Sequence, residues 1–196
     1  SLALDPSGDG GGISFYDAEN GDLMWGGGVP NRTIDSEGDV GQYTSFYRDD
    51  SDASPQNHIS YYDVTNGDLK YVAFDDSSEF ISGEIIDSAG DVGKFTSIAV
   101  DSTGSVHISY YDDTNGDLKY ALITPGDPRV ITIESLDGAE DVGQYSSIAL
   151  DLDDNVHISY YNATSGDLKY ATNASGTWFL STIDSTGDVG LFTSIA

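Results

Sequence analysis

One wording recurs along this chain, and its period and its turn residues together predict an all-β fold, a β-propeller built from four-stranded antiparallel blades. The fullest copies are FTSIAVDSTGSVHISYYDDTNGDLKYA at Phe95–Ala121 and YSSIALDLDDNVHISYYNATSGDLKYA at Tyr145–Ala171, with a further copy at Tyr43–Val72 and looser ones at Ser1–Trp25 and Phe192–Ala196. The tripeptide Asp-Val-Gly marks the period, returning at Asp39, Asp91, Asp141 and Asp188 in steps of 52, 50 and 47 residues. Within each step four short apolar runs end in Gly, Asp, Asn or Ser, a density of turn signals that leaves no room for a helical period.

Each run has a character that fits one position in a blade. In the third repeat the expected strands are Phe95–Val100, Val106–Tyr111, Leu118–Ile123 and Val130–Leu136. The first is rich in small residues, as the crowded strand nearest an axis should be. The second, His107-Ile108-Ser109-Tyr110-Tyr111, is bulky on both faces, as expected of a middle strand with neighbouring blades on both sides. The fourth varies most, Trp178–Ile183 in one repeat and Phe80–Ile86 in another, and suits an outer edge. The opening repeat is the loosest, because Gly10-Gly11-Gly12 and Gly26-Gly27-Gly28 weaken its strands. The predicted organisation is one propeller domain or fragment over 1–196, with blades at about 1–38, 39–90, 91–140 and 141–187 and the start of a fifth at 188–196. Four units plus one strand read as part of a larger ring, or as a spare strand that pairs with another chain by edge addition. The chain starts in mid-pattern, as a mature product or a fragment would.

The loops sort onto two ends. One carries the hairpins between second and third strands, Asp17–Asp22, Asp63–Asp68, Asp112–Asp117 and Asn162–Asp167, together with the blade-to-blade connections such as DSEGDVG at Asp35–Gly41. The other carries the variable loops Arg48–Asn57, Thr124–Arg129 and Thr172–Thr177.

Composition narrows the function. Seven basic residues against 34 acidic ones give a formal charge of −27, which repels nucleic-acid backbones and anionic lipid. The same field suits a divalent cation, a cationic partner or a salty medium. Cysteine is absent, so no disulfide framework exists. No apolar run approaches the roughly 18 residues of a membrane helix, and insertion into a membrane is not expected. Aromatics at 11% argue against disorder. Asn31, Asn162 and Asn173 open glycosylation triplets of a kind that arises often by chance.

The segment IAVDSTGSVHISYYD at Ile98–Asp112, followed by DLKYA, resembles the NHL-type propeller repeat, and IALDLDDNVHISYYN at Ile148–Asn162 matches it similarly. The turn is similar to the Asp-box of sialidase-like propellers, one residue longer between Asp101 and Gly104. The resemblance covers about half of each unit, and the third strands, with Lys70, Lys119 or Lys169 as their one lysine, depart from the basic third strand usual in NHL blades. The HISYYD and NGDLKYA wording also resembles that of secreted prokaryotic repeat proteins, which implies an extracellular or cell-surface propeller without defined chemistry.

Candidate chemistry lies chiefly in the acids. Asp35, Asp39, Asp87, Asp91, Asp137, Asp141, Asp184 and Asp188 fall in the connections, where carboxylate and backbone oxygens reach the density that calcium requires. The plainer reading is that Asp caps turns and Asp-Val-Gly fixes the crossover. A second calcium candidate has alternate oxygen ligands at Asp151, Asp153 and Asn155 and at Asp5, Ser7 and Asp9. The second tyrosines, Tyr62, Tyr111 and Tyr161, together with Asp63, Asp68, Asp112, Asp117 and Asp167, are the candidate ligand-binding set, the rings as sugar platforms unless they belong to the core. His58, His107 and His157 recur one per repeat and read as packing residues bonded to a neighbouring blade. Lys70, Lys119 and Lys169 read as salt-bridge partners.

No catalytic residues are expected. Arg32, Arg48 and Arg129 are too scattered for the carboxylate clamp of a sialidase, and no Gly-x-Ser-x-Gly or His-Glu-x-x-His motif occurs. The expected function is a non-enzymatic extracellular binding or adhesion module that recognises a glycan or protein through its acidic loop face, with calcium as the expected ion. The alternatives are a surface or filament protein that self-associates by strand exchange at its termini, and a glycoside-hydrolase-like enzyme.

Overall fold

The computed structural model describes residues 1–4, 11–27, 30–50, 56–75, 83–126 and 128–196. The described residues form strands and turns, with no helix among them and therefore no helix long and apolar enough to cross a membrane. Strands β1 to β16 make four antiparallel sheets, each of four strands taken in chain order. The first sheet holds β1 (Leu2–Leu4), β2 (Gly11–Asp17), β3 (Asp22–Gly26) and β4 (Arg32–Asp35). The second holds β5 (Val40–Asp49), β6 (Gln56–Asp63), β7 (Asp68–Asp75) and β8 (Glu84–Asp87). The third holds β9 (Val92–Val100), β10 (Val106–Asp112), β11 (Asp117–Thr124) and β12 (Val130–Asp137). The fourth holds β13 (Val142–Leu150), β14 (Val156–Asn162), β15 (Asp167–Thr172) and β16 (Phe179–Asp184). The chain divides into two compact units, Ser1–Gly93 and Lys94–Ala196.

The four expected runs of the third repeat are all strands, with one revision of boundary. First strands begin at the Val of Asp-Val-Gly rather than three residues later, because that Val already pairs with the end of the second strand, as in Val142↔Asn162. The ladder then slips: Gln144 faces Tyr161 and the next pair is Ser147↔Ser159, so Tyr145 and Ser146 form a bulge. The same slip lies between Gln42 and Ser45 in β5. The second strands β6, β10 and β14 are buried at almost every residue, while β2 is only partly buried with Ile13 exposed and β12 is exposed over most of its length. This is the gradient from middle to outer strand that the wording predicts.

Within Ser1–Gly93 the first and second sheets share a core of Leu23, Trp25, Ile34, Val40, Phe46, Ile59, Tyr61, Val72 and Phe74. Gly12, expected only to weaken its strand, has a packing reason: a Cβ there would lie 2.6 Å from the Trp25 indole nitrogen and 2.7 Å from the Phe46 ring. Within Lys94–Ala196 the third and fourth sheets enclose Leu118, Tyr120, Val142, Ile148, Val156, Ile158 and Tyr160. Small hydroxyls tie neighbouring sheets together. Thr44 Oγ1 donates to Ser14 Oγ at 2.8 Å, and Ser109 and Ser146 share a bond of 3.0 Å.

The residues 188–196, expected as the first strand of a fifth unit, are not in a ladder but keep the landmarks of one. Val189 N donates to Gly166 O at 2.8 Å, as Val142 N does to Gly116 O at 2.9 Å. Thr193 Oγ1 donates to Ser159 Oγ at 2.7 Å, and Ile195 N to Ser147 Oγ at 3.2 Å.

Candidate functional site

The Asp-Val-Gly tripeptide gives each of its residues a separate task. Val40, Val92 and Val142 are wholly buried. The glycine takes positive φ, +102° at Gly41 and +108° at Gly143, and lies against the third strand of the preceding sheet. A Cβ at Gly143 would come within 2.7 Å of Leu118 Cα, so backbone packing as well as φ demands glycine there. The aspartate accepts the hydroxyl of the second tyrosine from that preceding sheet: Tyr16 to Asp39 at 2.8 Å, Tyr62 to Asp91 at 2.6 Å, Tyr111 to Asp141 at 2.7 Å and Tyr161 to Asp188 at 2.8 Å. Burial together with the Asp141 carboxylate pushes the Tyr111 hydroxyl well above the usual phenol range.

Of the two roles open to Tyr62, Tyr111 and Tyr161, sugar platform or core, the structure gives them the core. They are 5%, 4% and 8% exposed. Alternation along a strand does put the two tyrosines of each pair on opposite faces, but a middle strand has a neighbour on both sides. In Ser1–Gly93, Tyr61 faces back to Asp35 while Tyr62 faces forward to Asp91.

The aspartate that ends each fourth strand has a different set of donors. Asp35 Oδ2 accepts Tyr61 Oη at 2.6 Å and Lys70 Nζ at 2.5 Å, and Asp35 Oδ1 accepts Glu37 N at 3.1 Å. Burial alone would raise its pKa, but Lys70, Tyr61 and the Glu37 amide outweigh burial and hold the carboxyl below its usual range. Asp137 repeats the arrangement in the other unit, taking Tyr160 Oη at 2.8 Å and ion-pairing with Lys169. Lys70 and Lys169 also lie over the rings of Tyr61 and Tyr160, at 5.6 and 5.7 Å. The lysines are salt-bridge partners, as expected. Asp87 is buried and accepts Ala89 N, whereas Asp184 is exposed and accepts Thr186 N.

The hairpin acids hold turns. Asp63 accepts the backbone and side-chain amides of Asn66, and Asp112 those of Asn115 together with Thr114 N. Asp117 accepts Ser135 Oγ at 2.7 Å, and Asp167 pairs with Asn162 across its hairpin. Asp68 is buried, and burial together with the nearby Asp63 raises its pKa.

At the other end, Asp101 Oδ1 accepts Thr103 N, Thr103 Oγ1 and Ser105 N at 2.7–2.8 Å, while Oδ2 faces His107 Nε2 at 3.2 Å. Partial burial opposes ionisation, but the Thr103, Ser105 and His107 bonds prevail and bring Asp101 down to about 2. His107 Nδ1 is bonded to Tyr120 Oη at 2.6 Å. With the carboxylate able only to accept, a neutral His107 carries its proton on Nε2 and takes the Tyr120 proton at Nδ1. Asp151, His157 and Tyr170 repeat this relay, and Asn155, Asp153 N and His157 hold the Asp151 carboxyl well below its usual range. The histidines are packing residues, and the Nδ1 bond of each goes to a tyrosine of its own sheet, Tyr71, Tyr120 or Tyr170, where a neighbouring blade was expected. The cause is register: second and third strands pair so that His157 lies opposite Thr172, beside Tyr170.

These partners spread the proposed calcium ligands over separate tasks. Among the described residues no three acidic or histidine side chains are grouped to hold a metal ion. Asp151 spends its oxygens on its own turn, and Asp153 is exposed beside it. The Asp5, Ser7 and Asp9 candidate lies outside the described residues.

What projects at the hairpin end is an aromatic residue that sequence reasoning missed. Tyr43, Phe95, Tyr145 and Phe192 have φ of 53°, 53°, 54° and 56°, the left-handed region that non-glycine residues rarely adopt. Tyr43 and Tyr145 lie in the bulge, and all four residues follow the aspartate of Asp-Val-Gly by four positions. In Lys94–Ala196 the rings of Phe95, Tyr145 and Phe192 form a row with 4.5 Å between successive centroids. Tyr161 lies under Tyr145 at 6.2 Å, with its hydroxyl on Asp188. The signal available in the sequence is V-G-x-[YF], an aromatic at fixed offset from a conformationally special glycine.

No family model and no curated protein matches the chain in sequence. Solved structures do match in fold. The SapL1 lectin in complex with α-methyl fucoside aligns at 12% identity and TM-score 0.60, over 96% of this chain and 64% of that one. A fungal lectin from Aleuria aurantia, a six-bladed β-propeller with a novel fucose recognition mode, aligns at 13% identity and TM-score 0.54, over 94% and 60%. The exo-β-1,3-galactanase 1,3Gal43A from Clostridium thermocellum aligns at 10% identity and TM-score 0.57, over 95% and 48%. This chain thus spans 48–64% of the length of these three proteins. At such identities the likeness defines the fold, an all-β propeller of four-stranded antiparallel blades.

Proposed function

We propose that this chain is a non-enzymatic carbohydrate-binding module of an extracellular or cell-surface protein, and that the sugar lies on the row of bulge aromatics. The observation that carries the reading is the backbone cost of that row. Holding a non-glycine residue in the left-handed region costs roughly 1–2 kcal/mol, and such outliers concentrate where function requires them. Here an aromatic takes that conformation in every repeat that has the bulge, and the rings are partly exposed, Phe192 to 77%.

A neutral sugar suits the surroundings. Its C–H face packs on an aromatic ring, its hydroxyls donate to carboxylates such as Asp188, and it carries no charge for the net −27 to repel. The likeness to fucose-binding lectins supports the class of ligand, while the galactanase shares the fold without adding a reason for catalysis. A hydrolase would be expected to break the repeat at one acid, whereas Asp39, Asp91, Asp141 and Asp188 each hold the equivalent tyrosine and Asp35 and Asp137 keep matching Tyr and Lys partners.

A glycan array probed with the wild-type chain and with Tyr145→Ala and Phe192→Ala tests the reading. We expect retention of a neutral glycan by the wild type, a loss of about tenfold in affinity for each variant, equivalent to about 1.4 kcal/mol, and no change on adding chelator. An array without binding, or binding that both variants retain in full, contradicts it.

A further inference from the structure

We propose that the outward face of the fourth sheet is a docking face for one more blade of this same repeat, built on Val189–Ala196 as its first strand and bearing Tyr and Lys in the places of Tyr160 and Lys169. The argument compares equivalent positions. Asp35 is met by Tyr61 and Lys70 of the next sheet, and Asp137 by Tyr160 and Lys169. Asp184 ends β16 just as Asp35 ends β4 and Asp137 ends β12, yet it is exposed and accepts only the Thr186 amide among the described residues. The residue before it tells the same story: Ile34 is 4% exposed and Ile183 is 60% exposed. Phe179 and Leu191 are exposed on the same sheet and its continuation. An uncovered carboxylate beside an uncovered Ile183 is half of the interface that each unit completes internally.

The backbone is already in place for the other half. Val189, Thr193 and Ile195 make the contacts of a first strand and Phe192 takes its φ, so the blade to be added has its starting edge fixed.

Charge complementarity also excludes an obvious competitor, the first sheet of a second copy. The pairs Tyr61↔Lys70 and Tyr160↔Lys169 stand at one register position, and in the first sheet that position holds Phe15↔Met24. Docking Phe15 and Met24 over Asp184 would bury a carboxylate with neither cation nor hydroxyl, which is strongly unfavourable. The match therefore requires a blade with the Tyr–Lys pair, and it disfavours head-to-tail filaments of this chain.

The test extends the intact chain after Ala196 with a second copy of residues 150–196, which continues the repeat in register. Amide hydrogen exchange at Ile183–Thr186 is compared among the unextended chain, the extended chain, and an extended chain whose copied Tyr and Lys are changed to Phe and Met. We expect exchange at least tenfold slower in the extended chain, little slowing in the Phe/Met version, and a monomeric unextended chain by sedimentation. Equal protection by the Phe/Met version, no protection by either extension, or head-to-tail oligomers of the unextended chain at neutral pH would overturn the proposal. Sugar binding at Tyr145 can fail without affecting any of these outcomes.

Discussion

Lys169 shows how one residue makes a repeat specific. Its ammonium pairs with Asp137 and lies over Tyr160, in surroundings where a lone charge is expensive. Lys169→Met should therefore cost about 1–3 kcal/mol, below the range for a fully buried pair because the ammonium is only partly buried. Asp137→Leu combined with Lys169→Met should recover at least half of that loss, because it removes the stranded carboxylate. Urea unfolding of the two variants checks this, and equal destabilisation would show that the pair is not the reason for the conservation of wording between repeats. The role of these lysines was legible in the sequence, since a lysine at one recurring strand position amid 34 acids needs a partner. The burial of Tyr62, Tyr111 and Tyr161 was legible as one of two readings, since a middle strand bulky on both faces has a neighbour on each. What strand alternation could not show is the partner of each hydroxyl, Asp91, Asp141 and Asp188, which lie in the following connection.

At the scale of the element, the first strand is where sequence and structure diverge most instructively. Its small residues correctly mark a crowded strand, and the Asp-Val-Gly connection correctly marks the crossover. The bulge after it was hidden, because one inserted residue alters side-chain parity without changing composition. That slip is what turns Tyr43 and Tyr145 outward, so the candidate site could not be found by following the alternation of the strand. The glycine that enters the bulge is irreplaceable on two counts, φ and the approach of Leu118 to Gly143. Gly143→Ala should destabilise the chain by at least about 2 kcal/mol, the left-handed cost plus the clash. Thermal unfolding of that variant beside Gly176→Ala, where φ is +82° but a Cβ meets nothing within 4 Å, separates the two contributions. Equal losses would mean that close packing at Leu118 adds nothing.

For the molecule as a whole, the repeat and its four-stranded blades were legible because they depend on period and turn chemistry alone. Of the two readings of the acids, turn caps or calcium ligands, the observed bonds belong to the plainer one: Asp63, Asp101, Asp112 and Asp151 cap turns and Asp35 and Asp137 hold the sheets together. The aromatic row at the hairpin end is the ligand platform we propose. The most direct test is a titration of the isotopically labelled chain with methyl α-fucoside, or with the best neutral glycan from the array, followed through the aromatic side-chain resonances. The account predicts saturable shifts centred on Phe95, Tyr145 and Phe192 with the histidine signals unmoved. Shifts confined to the His107 and His157 end, or no saturable shift with any neutral glycan, would contradict it.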